Sequence, residues 1–581
     1  MNSNLRTRMT SGPMIILLSY VLLVSLPSLL LLYYIYVLGV NVIFWDEWEM
    51  IPLIQKLMSG TLSFTDLFAQ HNEHRILFPR IVMLAIGRLT GYNTVAEMFV
   101  SWVLICLTGL MILYTCRKKF TWFSYPRLLL TYLPVSFLLF SFGQYETILW
   151  GFAGIQPYLM IFGAVATFCL LEVSRKIDLR FAFSLVSAIL ASFSLLFGLM
   201  VWPAGLVQII SVSKRKRDLA RILLWCLIGM LVFSSYFYGW VKPSYHPPLN
   251  YALTNPLGAG EYLLALLGAP LSYGVFVAAA FGLVMALIAV LVIAHAYKGK
   301  LLRRNAVWLS FVVFIALSSL ATTVGRGGFG VEQALSSRYT AITSLGIVGL
   351  YFLAISVSET LPAKSKSFGA HALLILILVG LIISYGVGWQ AGQNWRHSRE
   401  MGAYMLATYK IQSDENIRRY LYDPALVRER AGFLEQNKLN VFSEPAINLS
   451  TLILSSSNTL FALNTINGKI VPQQTTPLVI NRSQEETITI TGWAVDKEAS
   501  DVASAVFITI DGRIDIPTLY GLDRQDVANY FKNPNFRFAG YIATFSSSIL
   551  SEGEHTISLK IVSKDGIHYY YLEQILYLMV N

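Results

Sequence analysis

The stretch MIILLSYVLLVSLPSLLLLYYIYVLGV (Met14–Val40) contains no charged side chain. A helix of about 20 apolar residues is enough to cross the hydrocarbon core of a bilayer, and this stretch is longer. It follows Arg6 and Arg8, as a secretory signal would. It exceeds the length of a signal's apolar part, however, and no small-residue cleavage site follows it. The stretch therefore predicts an uncleaved membrane anchor.

The whole chain shares this apolar character. Of its 581 residues, 55% are hydrophobic and 13% are charged, and the mean hydropathy is +0.57. A soluble core cannot absorb so much apolar surface. We therefore predict a polytopic α-helical membrane protein with about eleven spans. They lie near 14–39, 94–116, 127–142, 155–173, 181–198, 199–212, 221–240, 273–296, 306–323, 340–358 and 370–390. The fifth and sixth are short and also fit a tight turn or a single broken helix.

The net charge of +11 is concentrated in alternate loops between these spans. Cytoplasmic loops carry an excess of Lys and Arg, so these loops and the N-terminus are expected in the cytoplasm. An odd number of spans then places the C-terminal region outside. The same placement argues against a nucleic-acid partner. The basic loops are Arg117–Lys119, Arg175–Arg180, Lys214–Arg221, Lys298–Arg304 and Lys364–Lys366.

The C-terminal region divides in two. Residues 394–474 begin with apolar residues at helical spacing, which predicts short surface helices and a linker. From about residue 475 the pattern changes to alternation, as in ETITITGWAVD, which predicts a β-sandwich over 475–581. None of the four cysteines lies in these segments, so we expect no disulfide there. Residues 1–393 form the predicted membrane region.

The predicted external loops carry the acids and histidines. The first, 41–93, contains FWDEWEMIPLI and QHNEHRILFPR, and a later one contains GRGGFGVEQALSSRY. Transfer of a sugar from a lipid phosphate needs a carboxylate base for the acceptor hydroxyl. It also needs cations to hold the departing phosphate. The candidate side chains are Asp46, Glu47, Glu49, Glu73, His74, Arg75, Arg326 and Arg338.

Plainer interpretations exist for several of these residues. Acids at a helix end are commonly just solvated, and Trp45 and Trp48 are typical interfacial anchors. His71 and His74 are three residues apart, but HxxH alone lacks the spacing of a metalloprotease motif. A metal site drawn from Asp46, Glu47, His71 and His74 stays open, and a divalent metal ion is the only cofactor that these residues suggest.

The acidic first external loop, the number of spans and the external C-terminal domain resemble the GT-C superfamily. These are membrane glycosyltransferases that use polyprenyl-phosphate sugars. The likeness covers residues 1 to about 440 and does not define a subfamily. It implies that Asp46 is the catalytic carboxylate, which acts as the base, with Glu47 assisting or holding a metal. The pair is Asp46-Glu47 and not DxD, which leaves metal dependence open.

The resemblance also implies partners and a location. The donor would be a polyprenyl-phosphate-linked sugar, and the acceptor an envelope or lipid-linked glycan. Both would be met in the membrane lipids on the extracytoplasmic face of a bacterial inner membrane. A lipid-linked glycan polymerase or ligase is an alternative, although its large loop usually lies late in the chain. A transporter is a weaker one, because the predicted spans carry no charge at their centres.

Overall fold

A computed structural model describes residues 11–213, 218–360, 363–456, 459–471 and 477–581. Arg6, Arg8 and 214–217 of the third basic loop lie outside this part, as do the side chains of Lys364 and Lys366. The chain forms two compact units. The helical unit comprises Met1–Gly39, Pro52–Thr90 and Thr94–Arg396, and the C-terminal unit comprises Val40–Ile51, Gly91–Asn93 and His397–Asn581.

Helices account for nearly all of the first unit, with Ala363–Ala407 continuing into the second. Short 3₁₀ turns join several of them. The helices are α1 Ser11–Leu38, α2 Ile51–Met58, α3 Phe64–Phe68, α4 Leu77–Thr90, α5 Thr94–Lys119, α6 Tyr125–Leu139, α7 Tyr145–Ile148, α8 Gly151–Val173, α9 Leu179–Ser192, α10 Val201–Val212, α11 Leu219–Phe237, α12 Tyr251–Thr254, α13 Pro256–Gly268, α14 Val275–Lys298, α15 Ala306–Arg326, α16 Ser337–Ser358 and α17 Ala363–Ala407.

The predicted membrane architecture is confirmed. Within the described ranges, nine helices are long and apolar enough to cross a bilayer. They correspond to nine of the eleven predicted spans. The other two, 181–198 and 199–212, correspond to the shorter apolar helices Leu179–Ser192 and Leu196–Val212. The chain is therefore a multi-pass membrane protein.

The two short helices are separated by a tight turn. Asp178 caps the first, since its carboxylate accepts a hydrogen bond from the Phe181 amide at 3.0 Å. Gly198, in the 3₁₀ turn at the start of the second, lies against the backbone of Ala191 with no room for a side chain. Of the interpretations that the sequence left open, the structure shows two helices joined by a turn.

Helices α8 and α16 form the centre of the helical unit. In the most apolar 18-residue stretch of each helix, 83% of the residues of α8 and 89% of those of α16 are buried, whereas only 17% are buried in α14. Small residues explain this, because they let neighbouring helices approach closely. Gly163 of α8, for example, packs directly on the backbone of α9 at Ser187 and Ala191.

The C-terminal unit contains two six-stranded sheets. One has the order β1-β12-β11-β7-β8 with β4 also paired to β12; the other has the order β3-β2-β5-β10-β9 with β6 paired to β5. Helices α18 Asp414–Tyr420, α19 Pro424–Gln436 and α20 Gln525–Phe531 complete the unit. The strands are β1 Ile453–Ser455, β2 Thr459–Ile466, β3 Lys469–Ile470, β4 Leu478–Ile480, β5 Thr487–Asp496, β6 Asp501–Val502, β7 Ala505–Ile510, β8 Ile514–Pro517, β9 Leu519–Leu522, β10 Gly540–Ser546, β11 Gly553–Val562 and β12 His568–Val580.

The two sheets share one apolar core, as a sandwich requires. Ile490 of one sheet and Ile508 and Leu559 of the other belong to the same fully buried cluster. Strands β1, β2 and β3 precede residue 475, so the β region begins at Ile453 and not at the boundary expected from the sequence. The reason is that β2 is partly buried along almost its whole length, so its residues do not alternate between apolar and polar.

The helical segment after Arg396 belongs to the same unit as the sandwich. The Tyr404 hydroxyl donates to the Pro517 carbonyl at 3.0 Å, and the Ser546 amide donates to the Ile411 carbonyl at 2.7 Å. These bonds tie the end of α17 and the residues just after it to strands of both sheets. The described residues from His397 to 471 therefore belong to this compact unit.

Candidate functional site

A tight turn in the helical unit positions Glu73. The turn lies between α3 and α4, and the backbones of His71 and His74 exchange two hydrogen bonds of 2.8 Å. Asn72 has a φ of +49°, in the left-handed region that asparagine tolerates better than most residues. The turn therefore holds Glu73 in place between the two histidines.

Glu73 is a buried carboxylate surrounded by cationic and imidazole groups. Its side chain is 7% exposed, and it accepts a hydrogen bond from the guanidinium of Arg326. The Nε2 atom of His74 lies 3.3 Å from Glu73 Oε1, and Nε2 of His246 lies 3.5 Å from Glu73 Oε2. Glu73 and Arg326, which are 253 positions apart in the sequence, thus form one ion pair.

These neighbours set the charges at the site. Burial alone would raise the pKa of Glu73, but His74 and Arg326 together lower that pKa to about 2. Burial lowers the pKa of His246, against the opposing effect of Glu73. At neutral pH, Glu73 is therefore ionised and His246 is neutral.

The hydrogen bond at the other ring nitrogen fixes the tautomer of His74. The Leu196 amide donates to His74 Nδ1 at 3.3 Å, so Nδ1 is an acceptor and carries no proton. The ring proton must then lie on Nε2, facing Glu73 Oε1. His74 thereby presents a donor to the carboxylate even when it is neutral.

A second loop, 238–250, packs on the Glu73 turn. The Trp240 indole donates to the Glu73 carbonyl at 3.1 Å, and the Tyr245 hydroxyl donates to Asn72 Oδ1 at 3.0 Å. Lys242 Nζ donates to the His246 carbonyl at 2.8 Å. The loop therefore brings Lys242 and His246 to the site.

Glu73, Trp240, Lys242 and His246 line a cavity of about 370 Å³. One part is charged, with Glu73, Lys242 and Arg326. The other part is apolar, and this combination suits a ligand with an anionic end and a hydrocarbon body. The apolar walls are Leu196, Phe197, Leu249, Leu320 and Val324.

The glycine-rich segment GRGGFG (325–330) begins in the last turn of α15, beside this cavity. Gly325 lines the cavity directly. Gly328 is approached by the Pro247 ring, so the close contact there is with loop 238–250. Gly330 has a φ of +101°, which a residue with a side chain rarely adopts. The segment thus joins α15 to α16 through a bend that requires glycine.

Arg338 lies at the start of α16 and is 36% exposed. Its Nε donates to Ser336 Oγ at 3.2 Å and lies 3.5 Å from Glu146 Oε1. Burial raises the pKa of Tyr262, and both Arg326 and Arg338 oppose that rise. The two arginines therefore act on the same buried phenol.

Arg75 has a different environment from the other predicted ligands. It is 6% exposed, and its guanidinium donates to the carbonyls of Phe68 at 2.8 Å, Tyr236 at 2.6 Å and Tyr238. It therefore joins the end of α3 to the end of α11. This geometry favours a scaffolding role over contact with a substrate.

The acidic motif after α1 belongs to the C-terminal unit. Trp45–Met50 form a 3₁₀ helix in which Asp46 is half-buried, Glu47 is fully buried and Glu49 is exposed. The Trp45 amide donates to the Leu421 carbonyl at 2.9 Å. Arg430 donates to the Trp48 carbonyl at 2.7 Å. These bonds hold the acidic helix to α19 and to the segment between α18 and α19.

The acids of this helix have two neighbours of note. Burial raises the pKa of Tyr422, and the negative charges of Glu49 and Asp46 raise that pKa further. Arg399 lies over the Phe44 ring, 3.4 Å from its centroid, and interacts electrostatically with Glu47. A phenol and a guanidinium thus accompany the carboxylates.

The structure divides the predicted site residues between the two units. Glu73, His74, Arg326 and Arg338 lie in the helical unit, whereas the three acids at 46, 47 and 49 lie in the C-terminal unit. Over the described ranges, no group of three or more His, Cys, Asp or Glu side chains could hold a metal ion. His71 instead packs edge-on against Phe152, with the ring centres 5.3 Å apart.

Sequence reasoning missed His246, Lys242 and Tyr262. They come from a Pro-rich loop and a short helix with no recognisable motif, and they reach the site through contacts across the fold. The one available signal was a histidine between aromatic and proline residues, YHPP, in a predicted external loop.

Comparisons with known proteins are sparse. No protein-family model matches the sequence. An uncharacterized protein of Archaeoglobus fulgidus is 29% identical over 210 residues, which cover 33% of this chain and 53% of that protein. The chain thus spans about half the length of this relative.

A solved structure is also similar. It is the crystal structure of ArnT from Cupriavidus metallidurans bound to undecaprenyl phosphate, with 12% identity and a TM-score of 0.37. The match covers 73% of this chain and 89% of that one.

Proposed function

We propose that the protein is an integral-membrane glycosyltransferase. It moves a sugar from a polyprenyl-phosphate donor to a glycan or lipid-linked acceptor. The observation that carries the proposal is the cavity of about 370 Å³, with Arg326 and Lys242 beside apolar walls. A phosphate joined to a hydrocarbon chain matches both parts of that lining.

A second cavity extends the apolar side. It has a volume of about 300 Å³ and lies among α13, α14, α15 and α16, and its lining is almost entirely aliphatic. Leu320 lines both cavities. A polyprenyl tail that enters here would leave its phosphate beside Arg326.

The charges suit the departing phosphate. Arg326 and Arg338 would hold it by charge-assisted hydrogen bonds, which are about twice as strong as neutral ones. Glu73 is a poor candidate for the base, because a carboxylate with a pKa of about 2 accepts protons weakly at neutral pH. We assign it the role of positioning Arg326.

Asp46 is our proposed base. Asp46 is half-buried, whereas Glu47, in the same 3₁₀ helix, is fully buried. The proposal rests on the sequence resemblance to GT-C enzymes and on this difference in exposure. Glu47 would assist through its electrostatic interaction with Arg399.

Location follows as a further part of the proposal. We place the protein in a bacterial inner membrane, with its N-terminus in the cytoplasm and the C-terminal unit outside. The support is the positive charge of alternate loops. A reporter that works only in the cytoplasm should be inactive when fused after Asn581, and an active fusion would contradict the orientation.

The reaction itself is tested with reconstituted protein. Vesicles containing the protein receive radiolabelled polyprenyl-phosphate hexose or pentose, together with glycans and glycolipids extracted from the source membrane. The proposal expects label to move to an extracted acceptor and free polyprenyl phosphate to appear. Protein that binds and turns over none of these donors would overturn it.

A further inference from the structure

A second site of mixed character lies on the surface of the helical unit. It is a groove of about 1010 Å³ between α5 and α8, with Arg180 of α9 at its rim. Leu107, Leu110 and Phe162 line its apolar part. Leu110 is 62% exposed, and α5 and α8 are both long and apolar enough to cross a membrane. The apolar part of the groove therefore faces the hydrocarbon region of a bilayer.

The rim of the groove carries an excess of positive charge. The Glu172 carboxylate pairs with Lys119 and compensates its charge, and Lys119 also donates to the Arg304 carbonyl at 2.6 Å. Arg175 also pairs with Glu172, at 3.1 Å. In the described part of the chain, Lys118 and Arg180 form no salt bridge. Lys118 lies over the Tyr114 ring, 5.5 Å from its centroid, and both Lys118 and Arg180 line the groove without an ion-paired carboxylate among the described residues.

We propose that this groove binds one phospholipid with an anionic headgroup. An acyl chain lies along Leu107, Leu110 and Phe162, and the headgroup phosphate lies between Lys118 and Arg180. The flexible stems of Lys and Arg allow their charged ends to reach the headgroup level while the rest of each side chain stays apolar. The proposal does not depend on the transfer reaction.

Three observations favour a phospholipid over other anions. A free phosphate would use the rim and leave the apolar wall uncovered. The volume stands at the upper end of small-molecule pockets and so has room for a headgroup and part of a chain. Lys118 lies in the last turn of α5 and Arg180 in the first turn of α9, at the level where anionic headgroups attract Lys and Arg.

Native mass spectrometry of the full-length protein tests the proposal. The protein is released from nanodiscs made of equal parts phosphatidylglycerol and phosphatidylcholine. The test variant is Lys118→Ala with Arg180→Ala. The matched control is Lys298→Ala with Arg303→Ala, which removes two exposed cations away from the groove. A Lys118→Arg variant with Arg180→Lys keeps the charge.

Wild type, the control and the charge-preserving variant should each retain phosphatidylglycerol in preference to phosphatidylcholine. The alanine pair should lose this preference by about 30-fold, since each cation near a membrane surface contributes roughly five-fold. Unchanged retention by the alanine pair would overturn the proposal. Equal retention of both lipids by wild type would also overturn it, as would displacement of phosphatidylglycerol from wild type by inorganic phosphate.

Discussion

Two carboxylates of the first predicted external loop, Glu73 and Asp46, have opposite environments. Glu73 is 7% exposed and bound to Arg326, and its pKa is lowered to about 2. Asp46 is half-buried in a 3₁₀ helix beside the exposed Glu49. The first is a fixed charge suited to holding a cation, whereas the second keeps an accessible side. The difference teaches that nearness in a loop does not give two acids the same role.

The largest effect should come from Asp46→Asn, which keeps the shape of the side chain and removes its charge. Loss of a general base typically costs about 10²–10⁴-fold in rate, so turnover in the labelled-donor assay should fall by that factor. Glu415→Gln, an exposed acid of the same unit, is the control and should stay near wild type. Turnover by a folded Asp46→Asn protein equal to wild type would remove Asp46 as the base.

The buried pair should dominate stability in the helical unit. Arg326→Met leaves Glu73 charged and buried, which typically costs about 3–5 kcal/mol of unfolding free energy. The midpoint of thermal unfolding in detergent should fall markedly, and adding Glu73→Gln should restore part of it. Arg127→Met breaks an exposed pair with Glu359 and should cost about 1 kcal/mol or less. Equal losses for Arg326→Met and Arg127→Met would show that the Glu73 pair is no stronger than a surface contact.

A smaller effect is expected from Arg338→Lys. Lysine keeps the charge but cannot make the two parallel hydrogen bonds of a guanidinium to a phosphate. The apparent Kd for the polyprenyl-phosphate donor should rise by about 10-fold, since one such bond is worth roughly 1.5 kcal/mol. Donor titration by native mass spectrometry measures this. An unchanged Kd would mean that Arg338 does not contact the phosphate.

The smallest effect concerns the sandwich alone. The pKa of His555 is raised, because hydrogen bonds to Asp511 and to the Ser551 carbonyl outweigh its burial. Protonated His555 therefore stabilises the fold fully below about pH 6.5, the pKa of histidine in the unfolded chain. This stabilisation is lost as the pH rises through the higher pKa of the folded state. The expected loss is about 1 kcal/mol.

Hydrogen exchange of the full-length protein can follow this change. Protection factors of β7 and β11 should fall from pH 6 to pH 8.5 in wild type, and the fall should vanish in His555→Gln. His568→Gln is the control, because His568 also pairs with an aspartate at 2.7 Å but is 41% exposed. If the protection factors of His555→Gln still fall with pH, a group other than His555 causes the fall.

Much of the architecture was accessible from the sequence because it depends on local patterns. Uncharged runs such as Met14–Val40 have few alternatives to a membrane helix, and the alternation in Thr487–Asp496 appears directly in its burial. Strand β2 was missed because it is half-buried on both faces. Local patterns predict elements whose burial follows a simple period.

The site was less accessible because its contacts are not local. The residues Glu73, Arg326 and His246 were distant in sequence, and only the first two stood out in it. Neither pattern nor spacing could show that Arg75 is occupied by backbone carbonyls. Nor could they show that the acids at 46 and 47 belong to a different compact unit from Glu73.

The most direct test of the proposed function is the identity of the lipid that co-purifies with the protein. Mass spectrometry of lipids extracted from purified wild type, Arg326→Met and the Arg127→Met control provides it. We predict a polyprenyl phosphate or its glycoside in wild type and in the control, and a clear depletion in Arg326→Met. Absence of any polyprenyl species from wild type, or equal amounts in folded Arg326→Met, would contradict a lipid-phosphate site at Arg326.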